Sequence, residues 1–212
     1  TKTHPPSLDI SHIIVSFSGI CRVGYIQHHH YVLEYWIYPT YKRGVLMKSN
    51  SCFFIGHKDA PSFIYPALLF QTEKLITEHG VHEFYIGHYG SFDAMALRAL
   101  TFLKQQYPHI CRILVTPYHP SQHPIEKPEN CDELYYPFEE PVMPRYAIVR
   151  ANRKMIDACD YLIAYAEHTG KARDYLQYAR RQESRGLIQI RMVETSWERA
   201  ERNLLLSSLI EQ

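Results

Sequence analysis

Short apolar segments rich in β-forming residues alternate with segments of helical periodicity from residue 51 onward, and this alternation constrains the fold most strongly. Such a pattern is typical of βαβ units, whose strands lie side by side in a parallel sheet with helices on its faces. The sequence therefore predicts an α/β fold: a Rossmann-like, three-layer α/β/α architecture with a mainly parallel sheet of about five strands. We expect these strands at residues 51–56, 83–86, 113–115, 161–165 and 187–190.

The composition predicts a folded core without a strong overall electrostatic field. The chain has 212 residues, 46% of them hydrophobic, and its 23 Lys and Arg nearly balance its 22 Asp and Glu, for a net charge of +1. Tight binding of duplex DNA depends on phosphate neutralisation by Lys and Arg, so duplex DNA is not an expected partner. Any site for an anion must be local.

Neither a membrane nor an oxidising compartment is indicated. No run of about 18 apolar residues is present, and the start of the chain lacks the pattern of a secretory signal. The five cysteines are an odd number at wide spacings without a C-x-x-C pair, which is typical of reduced thiols. We therefore expect a cytoplasmic protein that makes no membrane contact.

The first part of the chain differs from the rest. Residues 1–46 are rich in aromatic residues and histidine but lack a sustained helical or strand period, whereas a clean pattern begins at Met47. We interpret residues 1–46 as an atypical N-terminal extension outside the native protein, with Met47 as the native start. The alternative is a genuine strand-forming arm, with short strands near residues 13–15 and 31–33.

The remaining chain divides into a main domain and a terminal helix. The domain covers residues 47–194 and contains a proline-rich insert at 117–144, and so long an insert in a compact fold is usually functional or disordered. A capping-box sequence then opens an amphipathic helix over residues 195–212. We expect this helix to pack on the sheet edge, and a homodimer interface is the alternative.

Glycines follow several of the predicted strands. Gly56, Gly87, Gly90 and Gly170 all fall at the carboxyl edge of the expected sheet, where ligands bind in open α/β folds. Glycine permits a close backbone approach, and the helix N-termini that follow offer free N–H groups to an anion. These turns predict a site for a phosphate-bearing small molecule, although each glycine alone could simply make a tight turn.

Four polar residues are the best partners for such a ligand. His57 follows the first strand and is placed to contact phosphate or base. Asp93 is placed to accept a hydrogen bond from a ribose hydroxyl, and the alternative is that its charge only complements the N-terminus of the helix. Arg145 and Arg150 are phosphate candidates because a guanidinium grips phosphate with two parallel hydrogen bonds. No carboxylate lies at metal-ligand spacing from the histidines, so no metal is expected. The sequence has neither a P-loop motif nor a G-x-G-x-x-G fingerprint, and no other cofactor is expected.

The order of these motifs resembles a known superfamily. The segments 53–58, 84–93, 144–148 and 150–156, followed by Asp160, are similar to those of small bacterial proteins of the SLOG superfamily, over about residues 51–190. This superfamily has a Rossmann-like sheet and includes the Lonely Guy phosphoribohydrolases and DNA-processing proteins. The resemblance implies a nucleotide-like ligand. The residues that we expect to contact it are Gly56, His57, Gly87, Tyr89, Gly90, Asp93, Arg145, Arg150, Asn152, Thr169 and Gly170.

The chain departs from the phosphoribohydrolases where they carry catalysis. Their glycine-rich turn falls on residues 166–171, of which only Gly170 matches, and their acid falls on Asp174. Their helical arginine falls near Ala151, between Arg150 and Asn152. The resemblance thus implies catalytic roles for Asp174 or Glu167 only under a second hypothesis, hydrolysis of the N-glycosidic bond of a nucleoside monophosphate.

Three classes of function stay open from the sequence. The first is a sensor-like domain that binds a nucleotide or a nucleoside phosphate, with the insert as a lid. The second is the phosphoribohydrolase. The third is a protein or single-stranded DNA interaction module, which a salt-sensitive association with single-stranded DNA would favour.

Overall fold

The computed structural model describes residues 41–42, 50–167 and 169–194, and these form the expected α/β fold. The seven strands in these residues are β1 (Tyr41–Lys42), β2 (Ser51–Gly56), β3 (Glu83–Ile86), β4 (Cys111–Val115), β5 (Glu133–Tyr135), β6 (Tyr161–Tyr165) and β7 (Gln189–Met192). They make one sheet in the order β1-β5-β4-β3-β2-β6-β7, and every pairing in it is parallel.

In the described part of the chain, four α-helices connect the strands: α1 (Tyr65–His79), α2 (Ser91–Gln106), α3 (Pro144–Ala158) and α4 (Lys171–Glu183). A short 3-10 turn, Ser62–Ile64, precedes α1. Because each helix follows a strand of a parallel sheet, all four helices begin at the carboxyl edge. Proline stands at the start of α1 and of α3, where its missing N–H costs no intrahelical hydrogen bond.

The helices cover both faces of the sheet and create two cores. Cys52 and Phe54 of β2 pack with residues of α1 and α2. Phe53 and Ile55, which point to the opposite face, pack with residues of α3 and α4. Since β2 is buried on both faces, its sequence is a continuous apolar run instead of an alternating one. The three-layer α/β/α architecture is therefore confirmed.

Within the described residues, the sheet has two more strands than the sequence indicates. β5 lies inside the predicted insert at 117–144 and pairs with β4 through Ile113↔Glu133, so the insert is two connections with a strand between them. β1 belongs to the predicted extension and pairs with β5 through Tyr41↔Leu134. Strands of three and two residues are too short to show a period, and their pairing depends on distant segments. The other residues of 1–46, and the predicted helix at 195–212, lie outside the described residues.

A cluster of charged side chains around Asp132 bonds the first connection of the insert to the rest of the domain. Asp132 accepts hydrogen bonds from the Arg112 side chain of β4 at 3.1 Å and from Lys104 of α2 at 2.8 Å. It also accepts the Arg112 backbone N–H at 2.8 Å. Burial alone would raise the pKa of Asp132, but the bonds from Arg112 and Lys104 outweigh it and lower that pKa to about 2. This carboxylate therefore joins β4, α2 and the strand β5 that follows it.

Candidate functional site

The strand order reverses beside β2, at the carboxyl edge of the sheet. The chain passes from β2 to β3 through α1 on one face, and from β5 to β6 through α3 on the other. In open parallel sheets, ligands bind in the crevice that such a reversal leaves beyond the strand ends. In this sheet the rule points to the space beyond the pair Gly56↔Tyr165, which we call the β2–β6 crevice.

An imidazole, a phenol ring and a glycine turn meet in the β2–β6 crevice. The half-buried His57 ring lies edge-on to Tyr165, with 6.1 Å between the ring centroids. A Cβ at Gly170, the N-cap residue of α4, would lie 3.9 Å from His57 Nδ1. The φ of 143° at Gly170 is one that favours glycine. The structure thus places His57 beside the start of α4.

Gly56 lets α2 pack against the end of β2. A Cβ at this position would overlap the Phe92 ring, which rests on the Gly56 backbone. Phe92 in turn stacks on Tyr165, with 6.3 Å between ring centroids. Both rings are nearly buried, at 1% and 3% exposure, whereas the His57 ring beside them is only half-buried.

The turn between β3 and α2 already holds a carboxylate. Asp93 Oδ2 accepts the N–H of Tyr89 over 2.9 Å, and the backbone of Gly90 bonds to the same side chain. A Cβ at Gly87 would lie 2.7 Å from Asp93 Oδ2. Burial raises the pKa of Asp93, while the two backbone hydrogen bonds act in the opposite direction. Asp93 therefore occupies the turn on which the sequence predicts a phosphate.

The turns that follow β2 and β3 are in direct contact. A Cβ at Gly90 would lie 2.5 Å from Lys58 Cα, so glycine allows the two backbones to meet. The N–H of Ser91 donates to the carbonyl oxygen of Lys58 over 2.7 Å, and the Ser91 hydroxyl donates to the carbonyl oxygen of Ala60 over 2.9 Å. Since Lys58 and Ala60 belong to the same loop as His57, these bonds fix the backbone that positions the His57 ring.

The start of α4 is open to solvent. Thr169 and Gly170 are exposed, and Gly170 has no side chain with which to cap the helix. Asp174, in the first turn, is 63% exposed and pairs with Lys171 over 3.5 Å. Glu167, two residues past β6, is exposed as well. A carboxylate that stabilises a developing sugar cation gains most from a site that excludes water, and neither acid has such surroundings.

The two arginines lie on α3, near the residues that follow β5. The Arg145 guanidinium lies 4.6 Å from the ring centroid of Tyr146, and that of Arg150 lies 5.4 Å from the ring centroid of Phe138. Both arginines are exposed, and Asn152 on the same helix is half-buried. These contacts place Arg150 on the β5 side of the carboxyl edge, four strands along the sheet order from β6.

Sequence reasoning identified Tyr89 but missed the row of rings to which it belongs, beyond β3, β4 and β5, which we call the aromatic rim. Ring centroids lie 4.0 Å apart in His88 and Tyr89, 4.8 Å in Tyr118 and His123, 5.1 Å in His119 and Tyr136, and 5.5 Å in Tyr136 and Phe138. The available signal was that rings follow three successive strands. The total of 17 Tyr and 13 His in the chain obscured it.

The aromatic rim adjoins the Asp93 turn through Tyr89. Burial raises the pKa of Tyr89 to about 12, and the nearby Tyr118 and Asp93 add to this effect. Burial lowers the pKa of His88, although a backbone hydrogen bond at Val115 opposes the shift. Tyr89 is nevertheless 45% exposed, so part of its ring is available for stacking.

Two grooves lie away from these turns. One, of about 450 Å³, is lined by residues of α1 and β7 that include Phe70, Lys74 and Arg191. The other, of about 440 Å³, lies on the outer face of α2 beside Arg98 and Phe102. Neither groove contains a strand-end glycine turn of the kind that binds anions.

Several features bear on other classes of function. Over residues 50–167 and 169–194, no three His, Cys, Asp or Glu side chains come together as metal ligands would. None of the helices in the described part of the chain is long and apolar enough to cross a membrane.

A scan against protein-family models finds no match for the chain, and a search of curated proteins finds no relative.

Proposed function

We propose that the β2–β6 crevice binds a nucleotide or a nucleoside phosphate. The observation that carries this proposal is the meeting of the half-buried His57 ring with the glycine-capped start of α4, at the reversal of the strand order. The resemblance to SLOG proteins favours the same class of ligand.

The phosphate belongs at the start of α4 rather than at the turn after β3. At α4, the exposed Gly170 leaves the first backbone N–H groups without an N-cap side chain, and the helix dipole adds positive potential there. At the turn after β3, Asp93 and Lys58 already accept the N–H groups of Tyr89 and Ser91. With a net charge of +1, the chain as a whole attracts anions only weakly, so the attraction for a phosphate has to come from a local site.

The nucleoside would then extend along the carboxyl edge from β6 toward β4. Strands lie about 4.8 Å apart, so the turns after β6 and β3 are separated by about 10 Å, which a phosphate and a ribose with their hydrogen bonds can span. In this arrangement Asp93 would accept a hydrogen bond from a ribose hydroxyl, and the exposed part of Tyr89 would offer a face on which a base can stack.

A thermal-shift screen tests this proposal. The four nucleoside 5′-monophosphates, their di- and triphosphates, ADP-ribose and cyclic nucleotides are each added to the full chain. A ligand at 100 times its Kd stabilises the folded state by about 2.7 kcal/mol, so we expect a clear rise in Tm with at least one of them. Chromatography of each hit for free base tests the hydrolase hypothesis in the same samples.

Two histidine variants locate the site. His57→Ala should abolish the shift, because the ring lies against the proposed phosphate turn. His109→Ala is the matched control: His109 is exposed, follows α2 at the opposite edge of the sheet, and should leave the shift unchanged. Absence of any shift in the wild type, or a shift that survives His57→Ala, would contradict the proposal.

A further inference from the structure

Positive charge is concentrated on one face of the sheet, the face that α3 and α4 cover. These two helices carry eight Lys and Arg but only three Asp and Glu. α1 and α2, which cover the opposite face, carry three of each. The overall net charge conceals this polarity, because the rest of the chain has 15 Lys and Arg against 19 Asp and Glu.

The eight cations form an exposed surface that we call the basic face. Lys171 pairs with Asp174, and within the residues that the structure describes none of the other seven makes an ion pair. The Asp157 carboxylate accepts the Tyr178 hydroxyl over 2.7 Å, and the Glu183 carboxylate accepts a backbone N–H of β7. The acids of these helices therefore leave most of the cations to a partner. The eight exposed cations are Arg145, Arg150, Arg153, Lys154, Lys171, Arg173, Arg180 and Arg181.

The basic face is broad, and large apolar side chains lie at one end of it. Each helix is about 20 Å long and packed helices lie about 10 Å apart, so the cations are spread over two dimensions. At the start of α3, Met143 and Tyr146 are 58% and 48% exposed. A plane of anionic headgroups matches such a spread of charge, and Tyr and Met side chains suit the boundary between headgroups and acyl chains.

Guanidinium groups already lie over the rings of the basic face. The half-buried Tyr178 packs against the core, and its ring centroid lies 5.5 Å from the Arg153 guanidinium and 5.7 Å from that of Arg181. The Arg145 guanidinium lies 4.6 Å from the ring centroid of Tyr146. Binding of single-stranded nucleic acid depends on bases that stack on open rings, so this face suits lipid headgroups better.

We infer that the basic face binds membrane surfaces rich in anionic phospholipids. The attachment is peripheral and needs no apolar span, whereas the expectation of no membrane contact depends on the lack of such a span. Arginine suits this role because its guanidinium donates two parallel hydrogen bonds to one phosphate group. The inference does not rest on the proposed function, because the basic face does not need a ligand in the β2–β6 crevice.

Cosedimentation of the full chain with vesicles tests the inference. One kind of vesicle contains phosphatidylcholine alone, and the other contains equal parts of phosphatidylcholine and phosphatidylglycerol. We expect at least tenfold tighter binding to the mixed vesicles, and a smaller difference at high salt because counter-ions screen exposed charges. This comparison needs no variant, so it can be made even if substitutions prevent folding.

Two double variants locate the contact. Lys154→Gln with Arg180→Gln removes two cations of the basic face that lack an ion pair, so binding to the mixed vesicles should weaken at least tenfold. Lys74→Gln with Arg98→Gln is the matched control: it removes the same charge from exposed positions of α1 and α2 and should leave the binding unchanged. Circular dichroism shows whether each variant is folded.

Three outcomes would overturn the inference. The first is equal binding of the wild type to both kinds of vesicle, and the second is equal weakening by the two folded double variants. The third is tighter binding to a single-stranded oligonucleotide of mixed sequence than to the mixed vesicles at the same phosphate concentration, which would assign the basic face to nucleic acid. Nucleotide binding in the β2–β6 crevice would stand in each case.

Discussion

At the scale of single residues, Gly56 and Gly90 show that glycine serves two kinds of packing at this edge. Gly56 leaves room for the Phe92 ring, and Gly90 leaves room for the Lys58 backbone. From the sequence alone, both are indistinguishable from Gly170, whose positive φ and exposure suit an anion turn. Tertiary contacts decide which group accepts the hydrogen bonds of the N–H groups in a turn. The sequence therefore indicated Asp93 as a ligand contact but did not reveal that its carboxylate accepts an N–H of the turn in which it lies.

Gly56→Ala should destabilise the protein by about 1 to 3 kcal/mol, because the new methyl group would overlap the Phe92 ring. Urea denaturation measures the change. In a Phe92→Leu background the cost should fall by at least about 1 kcal/mol, as expected for residues in contact. Gly186→Ala is the control: its Cβ meets open space, so only the strain at φ 71°, about 1 to 2 kcal/mol, should appear in either background. Equal costs of Gly56→Ala in both backgrounds would contradict the overlap.

At the scale of secondary-structure elements, the Asp132 cluster decides where the insert joins the domain. It links Arg112 of β4 with Lys104 of α2 immediately before β5 begins. Arg112, which donates to the Asp132 carboxylate through its side chain and its backbone N–H, is nearly buried at 9% exposure. Removal of the acid would leave that guanidinium without its charged partner, which is costly in a buried position.

Asp132→Asn should therefore destabilise the protein by about 1 to 2 kcal/mol at pH 7, a value discounted for a carboxylate that is 27% exposed. The folded-state pKa of about 2 lies below the ordinary value, so this stabilisation is complete above about pH 5 and is lost as the pH falls toward 2. Urea denaturation at pH 7 and pH 3 should show that the difference in the free energy of unfolding between wild type and variant is smaller at pH 3. Asp174→Asn, which removes the exposed pair with Lys171, should change stability by less than about 0.5 kcal/mol. A gap that stays constant from pH 7 to pH 3 would contradict the assignment.

The same elements show how far the sequence predicts the fold. β2, β3 and β6 lie in the middle of the sheet, so their runs are apolar and their predicted bounds match the observed ones. β7 begins at Gln189, two residues later than predicted, because Leu187 is exposed at 45% and only Ile188 turns into the core. β5 and β1 owe their pairing to neighbours far along the chain, and such pairing leaves no local period to detect.

At the scale of the whole molecule, the sheet order predicts a gradient of stability from the centre outward. β2 is bonded on both sides, to β3 and to β6, and Cys52, Phe53, Phe54 and Ile55 are at most 5% exposed. β7 is the last strand of the order, and its residues are partly or fully exposed. Backbone groups of the central strand can reach water only if both cores open, whereas β7 has to separate from β6 alone among the strands that the structure describes.

Native-state hydrogen exchange measures this gradient directly. Amides of β2 should exchange only through global unfolding, so their protection should fall with added denaturant as steeply as the free energy of unfolding does. Amides of β7 should exchange through local opening: the N–H of Ile190, for example, donates to the Glu183 carboxylate at 2.9 Å on an exposed side. Their protection should be lower and nearly independent of denaturant. If the amides of β2 and β7 had equal protection and the same dependence on denaturant, the sheet would open only as one unit. The burial of β2 on both faces would then not make it more stable than β7.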